Sequence, residues 1–481
     1  MMDIFAIWNG RPQNRRADQK NRRHGLPFSM SWRFGATASV TFALAALAGC
    51  ASNSPNATTT GEAAPVKVPC PAQVPATATC LGGTDSQGAH YLIAMPADWN
   101  GHLVLHAHGG PTLSAPKPER AVEDLTRWAI TVKAGYAWAG STFRQGGVEV
   151  RTAAEDTERL RRIFLEHVGK PKRTVLHGQS WGAGVAAKAA EMYTAATVGH
   201  RPYDGVLLTS GVLAGGTHSY DVRTDLRVVY QYLCDNHPRP NEPQYPLNIG
   251  LPPGATMTPA DLRSRVDECL GLNLPAPQRS PQQQAKVRTI ENVLRIPASS
   301  IQSHLGWGTF HFQDVASKRT GGASPFGNTG ARYTGSADDA ALNAGVRRYR
   351  ADAEAYRRFA TDTDPTGRIP VPVLTTKWIA DPTAFVELDS YFKAVMDRAG
   401  SGDRLVQTFT TQGTHSYISD PTYPTLLAAL LHWVEQGTKP TPAGVAAACP
   451  AYEAKFGKGC SFAPDYRPAA LDTRVPARER P

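Results

Sequence analysis

Thr174-Val175-Leu176-His177-Gly178-Gln179-Ser180-Trp181-Gly182-Ala183 joins a short β-type run to an Ala-rich helical pattern over residues 183–193. A serine at such a junction must stand on a sharp turn if its hydroxyl is to project above a sheet. The residues two before and two after it then crowd each other, and glycine at 178 and 182 relieves the clash. The helix that follows points its N-terminus at the same spot, which favours a developing oxyanion. Glycine and serine are common, so the motif alone is weak. Its place between a strand and a helix makes Ser180 the candidate nucleophile.

Outward from this turn, β-type and helical patterns alternate. Residues 91–94, 103–105, 136–139, 174–176 and 205–208 read as strands. Residues 119–134 read as a helix. Thr152-x-x-Glu155 is a plausible capping box opening a helix that carries Leu160, Ile163, Phe164 and Val168 on one face. This order predicts an α/β fold, a mainly parallel sheet covered by helices on both sides. From residue 214 to 368 the pattern breaks into Pro-, Gly- and polar-rich sequence, with one helix expected over 346–360. A segment this long between two strands is an insertion rather than a loop. The pattern resumes with a strand at 371–374, a helix over 385–399, a strand at 405–409 and a helix over 423–436.

Three further stretches carry chemistry. His108-Gly109-Gly110-Pro111 follows an early strand and lets backbone approach a ligand closely. Gly413-Thr414-His415-Ser416 follows the last strand. Asp381 stands between the strand at 371–374 and the next helix. The order Ser180…Asp381…His415, with the His-Gly-Gly-Pro loop, resembles the α/β-hydrolase family over residues 90–213 and 369–437. The resemblance implies a Ser180–His415–Asp381 triad. It also implies an oxyanion hole built from the Trp181 N–H and one N–H of Gly109 or Gly110. His432 lies within the last helix, and His304 and His311 lie in the insertion, so they are less well placed as the base. Glu387 and Asp389 sit on the helix after Asp381 and are expected to be solvated.

The resemblance leaves the substrate open. A large insertion in this place resembles the lid of tannase- and feruloyl-esterase-like enzymes. That implies a small or short polymeric ester as substrate. His-Gly-Gly-Pro and Gly-x-Ser-Trp-Gly also resemble the proline iminopeptidase group, but Thr112 replaces that group's usual glycine and no acidic anchor for an amine is evident. A non-catalytic binding protein on the same fold is the third reading. His304, Trp307, Phe310 and Phe312 form a candidate aromatic cluster, lining a pocket or forming the insertion's own core. No cofactor or metal is expected. His102, His106 and His108 reflect one face of a strand, and the Asp-rich stretch 333–339 suits a helix cap better than a calcium loop.

The 481 residues are 41% hydrophobic and 19% charged, enough apolar material for a large core. The net charge of +10 is concentrated toward the N-terminus, and no basic run interleaved with aromatics follows, so no nucleic-acid partner is expected. Ala36 to Ala48 is a short apolar run after Arg33, the core of a signal peptide. Met30 stands at the usual distance before it, which makes residues 1–29 a candidate upstream extension. Leu47-Ala48-Gly49-Cys50 resembles the bacterial lipoprotein box. That implies lipidation of Cys50 and membrane anchoring. Ala51 resembles the position-two residue of lipoproteins sent to the outer membrane. The other six cysteines fall in local pairs, Cys70/Cys80, Cys234/Cys269 and Cys449/Cys460. An even number in an exported chain favours disulfides, with the connectivity open. The expected organisation is a signal peptide over 1–49 and a flexible tether over 50–69. A core follows over 70–213, a lid or insertion domain over 214–368, the rest of the core over 369–437, and a tail over 438–481.

Overall fold

Apolar residues in the central strands alternate between two faces. Leu103 and Leu105 face one core with Leu176, Val206, Leu208 and Val373, while Val104, Val175, Leu207, Leu374 and Val406 face the other. That period of two, buried on both sides, builds a parallel sheet between helices. The computed structural model of the chain describes residues 61–481. The signal peptide, Cys50 and the start of the tether lie outside those residues.

The sheet has nine strands. They are β1 (Val66–Val68), β2 (Thr79–Thr84), β3 (His90–Met95), β4 (His102–Ala107), β5 (Ala137–Ser141), β6 (Arg173–Gln179), β7 (Gly205–Thr209), β8 (Val373–Trp378) and β9 (Leu405–Thr410). Their order is β1-β2-β3-β5-β4-β6-β7-β8-β9. The first three pairings are antiparallel and the rest parallel. The crossing of β4 and β5, the serine turn after β6 and the reversed strands at one edge make this an α/β-hydrolase fold. Val150–His167 and the Ala-rich helix Trp181–Met192 cover one face. Helix Thr422–Gln436 covers the other with Leu426, Leu427, Leu430 and Leu431.

The insertion between β7 and β8 has its own apolar core. It is built from the helices Asp221–Cys234, Pro259–Leu270, Pro281–Leu294 and Ala298–Gly306. Disulfides join Cys70–Cys80, Cys234–Cys269 and Cys449–Cys460.

Several local expectations need correction. Thr152 does not cap a helix. The helix begins at Val150, and Asp362 from the insertion takes the N–H groups of Val150 (3.1 Å) and Arg151 (2.9 Å), so a tertiary cap replaces the local one. The single helix over 346–360 is absent. The structure has Asp339–Gly345 and Ala353–Thr363, the second capped by Asp352. Between them Tyr349 is held extended, its carbonyl accepting from the Asn328 N–H at 2.9 Å and its own N–H donating to Asn328 Oδ1 at 2.8 Å. The helix expected over 119–134 is interrupted at Trp128. The expected tether loses its end, because Val66–Val68 pairs with β2.

The segment 438–481 is more than a surface tail. Pro442–Phe456 is a helix whose Val445 joins the core under Thr422–Gln436. Beyond it, Arg478 and Arg480 reach back to the insertion and pair with Asp221 and Asp225.

Candidate active site

The C-terminal ends of the parallel strands share one edge, and the loops leaving them bring the expected residues together. Ser180 follows β6 with φ 56° and ψ −120°, a backbone region that costs a non-glycine residue on the order of 1–3 kcal/mol. The turn is pinned: the Ser180 N–H donates to the Thr209 carbonyl (2.9 Å), and its carbonyl accepts from Val212 (3.0 Å) and Ala183 (3.1 Å). Glycine is required on both sides. A Cβ on Gly178 would strike the Gly182 carbonyl, and one on Gly182 would strike the Ala107 carbonyl.

Ser180 Oγ lies 2.7 Å from His415 Nε2. His415 Nδ1 lies 2.8 Å from Asp381 Oδ2 and 3.1 Å from Oδ1. A carboxylate at Nδ1 keeps the proton there, so Nε2 accepts from the Ser180 hydroxyl. Asp381 Oδ1 also accepts the N–H groups of Thr383 (2.8 Å) and Ala384 (3.0 Å). Burial alone would push the Asp381 carboxyl up. The facing His415, with Lys377 and the Ala384 N–H, outweighs it and holds the carboxyl below its usual range.

The expectation that Glu387 and Asp389 are solvated is wrong. Asp389 is fully buried and pairs with Lys377 Nζ at 2.5 Å, and Lys377 also donates to the carbonyls of Gly211 (2.8 Å) and Phe385 (3.2 Å). Helix Glu387–Arg398 lies on the sheet with that face inward. The Glu387 side chain is only 15% exposed and lies 3.9 Å from Arg474.

Of the two loop glycines, Gly109 presses on Ser180. A Cβ there would collide with Gln179 and come within 3.0 Å of Ser180 Cβ, whereas Gly110, at φ 66°, has open space around it. The Gly109 carbonyl is held by Arg120 Nη2 at 2.7 Å. A trans peptide sets the carbonyl and the following N–H in opposite directions, so the Gly110 N–H points away from Arg120. No backbone acceptor among the described residues takes the N–H of Gly109, Gly110 or Trp181. Beside Trp181 and the loop is a cavity of about 10 Å³, lined also by His108, Pro111 and Phe143, with room for one water.

Sequence reasoning missed several residues. Gln179, inside the motif, is buried and donates through Nε2 to the His415 carbonyl at 2.9 Å. His304 and His311, less well placed as the base because they lie in the insertion, flank the site. His304 Nε2 lies 2.8 Å from the Pro382 carbonyl, and His311 Nε2 lies 3.1 Å from the Pro111 carbonyl. Burial pushes them down to about 3 and about 4, so both are neutral at pH 7. The expected aromatic cluster is divided. Phe310 packs on the insertion core, Phe312 stacks on Phe326, and Trp307 stacks on His311 at 3.9 Å. A π-helical turn over Trp307–His311 makes the last pairing. His106 and His108 also diverge: His106 Nδ1 meets His177 Nδ1 at 3.0 Å, and His108 stacks on Phe143. Among the described residues, no three His, Cys, Asp or Glu converge as a metal site. Asp338 accepts from the Ala341 N–H and caps a helix.

No family model matches the chain, and no curated protein matches it in sequence. Solved structures similar to it include an esterase from Aspergillus oryzae, 15% identical over 76% of this chain and 80% of that one, with a TM-score of 0.41. Tannin acyl hydrolase from Aspergillus niger is 10% identical over 80% and 86%, with a TM-score of 0.42. The rice cell wall degrading esterase LipA from Xanthomonas oryzae is 14% identical over 70% and 83%, with a TM-score of 0.35.

Proposed function

We propose that the chain is a serine hydrolase that cleaves carboxylic esters through an acyl-enzyme. The observation that carries this reading is the continuous relay from Ser180 Oγ to His415 Nε2 (2.7 Å) and from Nδ1 to Asp381 (2.8 Å), set on a strained turn. His415 takes the Ser180 proton as Oγ attacks the carbonyl, and then protonates the departing alcohol. Water then attacks the acyl-enzyme with His415 again as base. The N–H groups of Trp181 and Gly110 receive the oxyanion, a contribution of about 3–4 kcal/mol for each donor.

Ester cleavage is favoured over aminopeptidase activity by the charge of the insertion residues nearest the site. An aminopeptidase needs a carboxylate to hold the substrate amine. Here the insertion neighbours are neutral His304 and His311, the cation Arg223, which lies over Trp307, and Asp314, whose carboxylate is already paired with Arg319. In the test, para-nitrophenyl esters and aminoacyl naphthylamides are offered in parallel. Ester turnover should fall by several orders of magnitude in Ser180→Ala and in Asp381→Asn. Near wild-type turnover in Ser180→Ala would refute the assignment, and dominant amide turnover would move it to the peptidase reading.

We also read the chain as exported and anchored by lipid at Cys50, in the outer membrane or periplasmic space of a bacterium. The three disulfides support an oxidising compartment. Cys50→Ser should shift the protein from the detergent phase to the aqueous phase. Unchanged partitioning would count against the anchor.

A further inference from the structure

The insertion buries two arginines that face no acid. On helix Asp221–Cys234, Asp221 and Asp225 pair with Arg478 and Arg480 of the tail. Arg223 and Arg227 lie two residues on from each and so fall on the opposite side of the helix. Arg223 is 3% exposed. Its Nη1 donates to the Ser219 carbonyl at 3.1 Å, and its Nε has no partner. Nη2 makes no hydrogen bond to a described residue. Arg227 is fully buried, gives one bond to the Gly250 carbonyl at 3.1 Å, and leaves Nε and Nη1 unpaired. Among the described residues, the groups that favour the charged forms are tyrosines: Tyr220 for Arg223, and Tyr245, Tyr230 and Tyr349 for Arg227. A buried cation is normally paired with a counter-charge. Tyr220 and Trp307, 5.0 and 4.9 Å from the Arg223 guanidinium, compensate in part.

Runs of packed contacts lead from Arg223 to the relay. Trp307 stacks on His311, which touches the Pro111 carbonyl of the oxyanion loop. The Arg223 charge also acts on His304, which touches the carbonyl of Pro382, next to Asp381. Val212 packs against the cluster holding Tyr220 and Trp307, and its N–H holds the Ser180 carbonyl at 3.0 Å.

We infer that Arg223 anchors a carboxylate carried by the substrate, so that the ester presented to Ser180 belongs to an acid-bearing molecule. The buried Nε–Nη2 edge donates no hydrogen bond to a described residue, and a planar fork of two N–H donors matches the two oxygens of a carboxylate. Arg227, unpaired one turn further along, adds to the positive potential that draws an anion in. The inference rests on the ester hydrolase reading and adds its substrate class.

Two matched pairs of esters test it. On the acyl side, para-nitrophenyl hydrogen adipate is compared with methyl para-nitrophenyl adipate. On the alcohol side, para-carboxyphenyl butyrate is compared with para-carbamoylphenyl butyrate. In at least one pair the wild type should favour the acid by roughly tenfold or more in kcat/KM, and Arg223→Gln should collapse that ratio toward one. Arg223→Lys keeps the charge without the fork and should retain only part of the preference. If Arg223→Gln fails to fold, Arg223→Lys decides: a weakened preference supports the anchor and an unchanged one overturns it. Ser180-dependent turnover with no preference for the acid, or with a preference that Arg223→Gln leaves intact, overturns the anchor while the hydrolase reading stands. Absence of turnover on all four esters sinks both.

Discussion

Gln179 Nε2 donates to the backbone carbonyl of His415 at 2.9 Å, tying the residue before Ser180 to the proposed base. Strand β6 and the loop after β9 therefore share a direct link in addition to the Ser180–His415 bond. Gln179 is 3% exposed, whereas His415 is half-buried, so the bond between them is partly screened from water. Losing such a hydrogen bond costs about 0.5–1.5 kcal/mol. Gln179→Leu is expected to lower kcat by about tenfold with a smaller effect on KM, because the ring loses its position rather than its chemistry. Gln179→Glu offers no donor and should be at least as harmful. Wild-type kcat in both variants would remove Gln179 from the list of positioning residues.

Arg120 has the matching role on the other side of the nucleophile. It holds the Gly109 carbonyl at 2.7 Å and lies 3.2 Å from Asp124, whose carboxyl burial pushes up to about 6. In Arg120→Met the peptide between Gly109 and Gly110 is free to turn, which misplaces an oxyanion donor. The expected loss is roughly tenfold to a hundredfold in kcat, with KM much less affected. A loss confined to KM would mean that Arg120 shapes substrate binding instead.

Lys377 and Asp389 form a buried ion pair beneath the acid loop. Removing one partner strands the other, so Lys377→Met and Asp389→Leu should each destabilise by about 3–5 kcal/mol in urea unfolding. The double variant should recover much of that loss, because an apolar pair needs no counter-charge. Additive losses in the double variant would mean that the bonds from Lys377 to Gly211 and Phe385 matter more than the pair.

What was legible in the sequence is what local spacing encodes. Ser180 is marked by two glycines that the turn requires, and Asp381 and His415 by their places after β8 and β9. Arg120 and Gln179 carry no such mark. Their partners are backbone carbonyls brought close only by tertiary packing, and a carbonyl leaves no trace in residue identity. Asp389 misled for a related reason. An acid on a helix reads as solvated unless Lys377, twelve residues earlier and inside a strand, is known to face it. The capping box at Thr152 failed because Asp362, far along the chain, supplies the cap.

The histidines set the response to acid. His108, His177, His218 and His304 are each held at about 3, first of all by burial, and His311 at about 4. A histidine depressed in the fold takes up its proton more readily when unfolded. Below the usual value of 6.5 the unfolded chain therefore binds more protons, and stability falls as pH drops toward the folded values. Asp381, held low in the fold, acts in the same direction at still lower pH. Asp124 and Asp364, each pushed up to about 6 by burial, bind protons in the fold and oppose this, but the five depressed rings outnumber them, so the melting temperature should decline on balance from pH 7 to about pH 4. The His177 ring pairs with His106 and the Thr209 hydroxyl and packs on Trp128, so His177→Gln should flatten part of that slope. A melting temperature that is level across this range would mean that the buried rings are not neutral in the folded protein.

Arg478 links the tail to the insertion. It is 2% exposed in its side chain and meets Asp221 at 3.4 Å and Asp225 at 2.7 Å, on the helix that carries Arg223 on its other side. Asp225 also accepts from the Tyr333 hydroxyl at 2.7 Å, so the tail, that helix and the 328–349 segment meet at one carboxylate. Arg478→Ala leaves buried Asp225 without its cation and Asp221 with Arg480 alone, and a loss of about 3–5 kcal/mol is expected. The loss should be local first. Limited proteolysis should cut the insertion in Arg478→Ala before the sheet unfolds, because the insertion has its own apolar core and can loosen separately. Cleavage that appears only with global unfolding would show that the insertion is held by its contacts at Pro111 and Pro382 rather than by the tail.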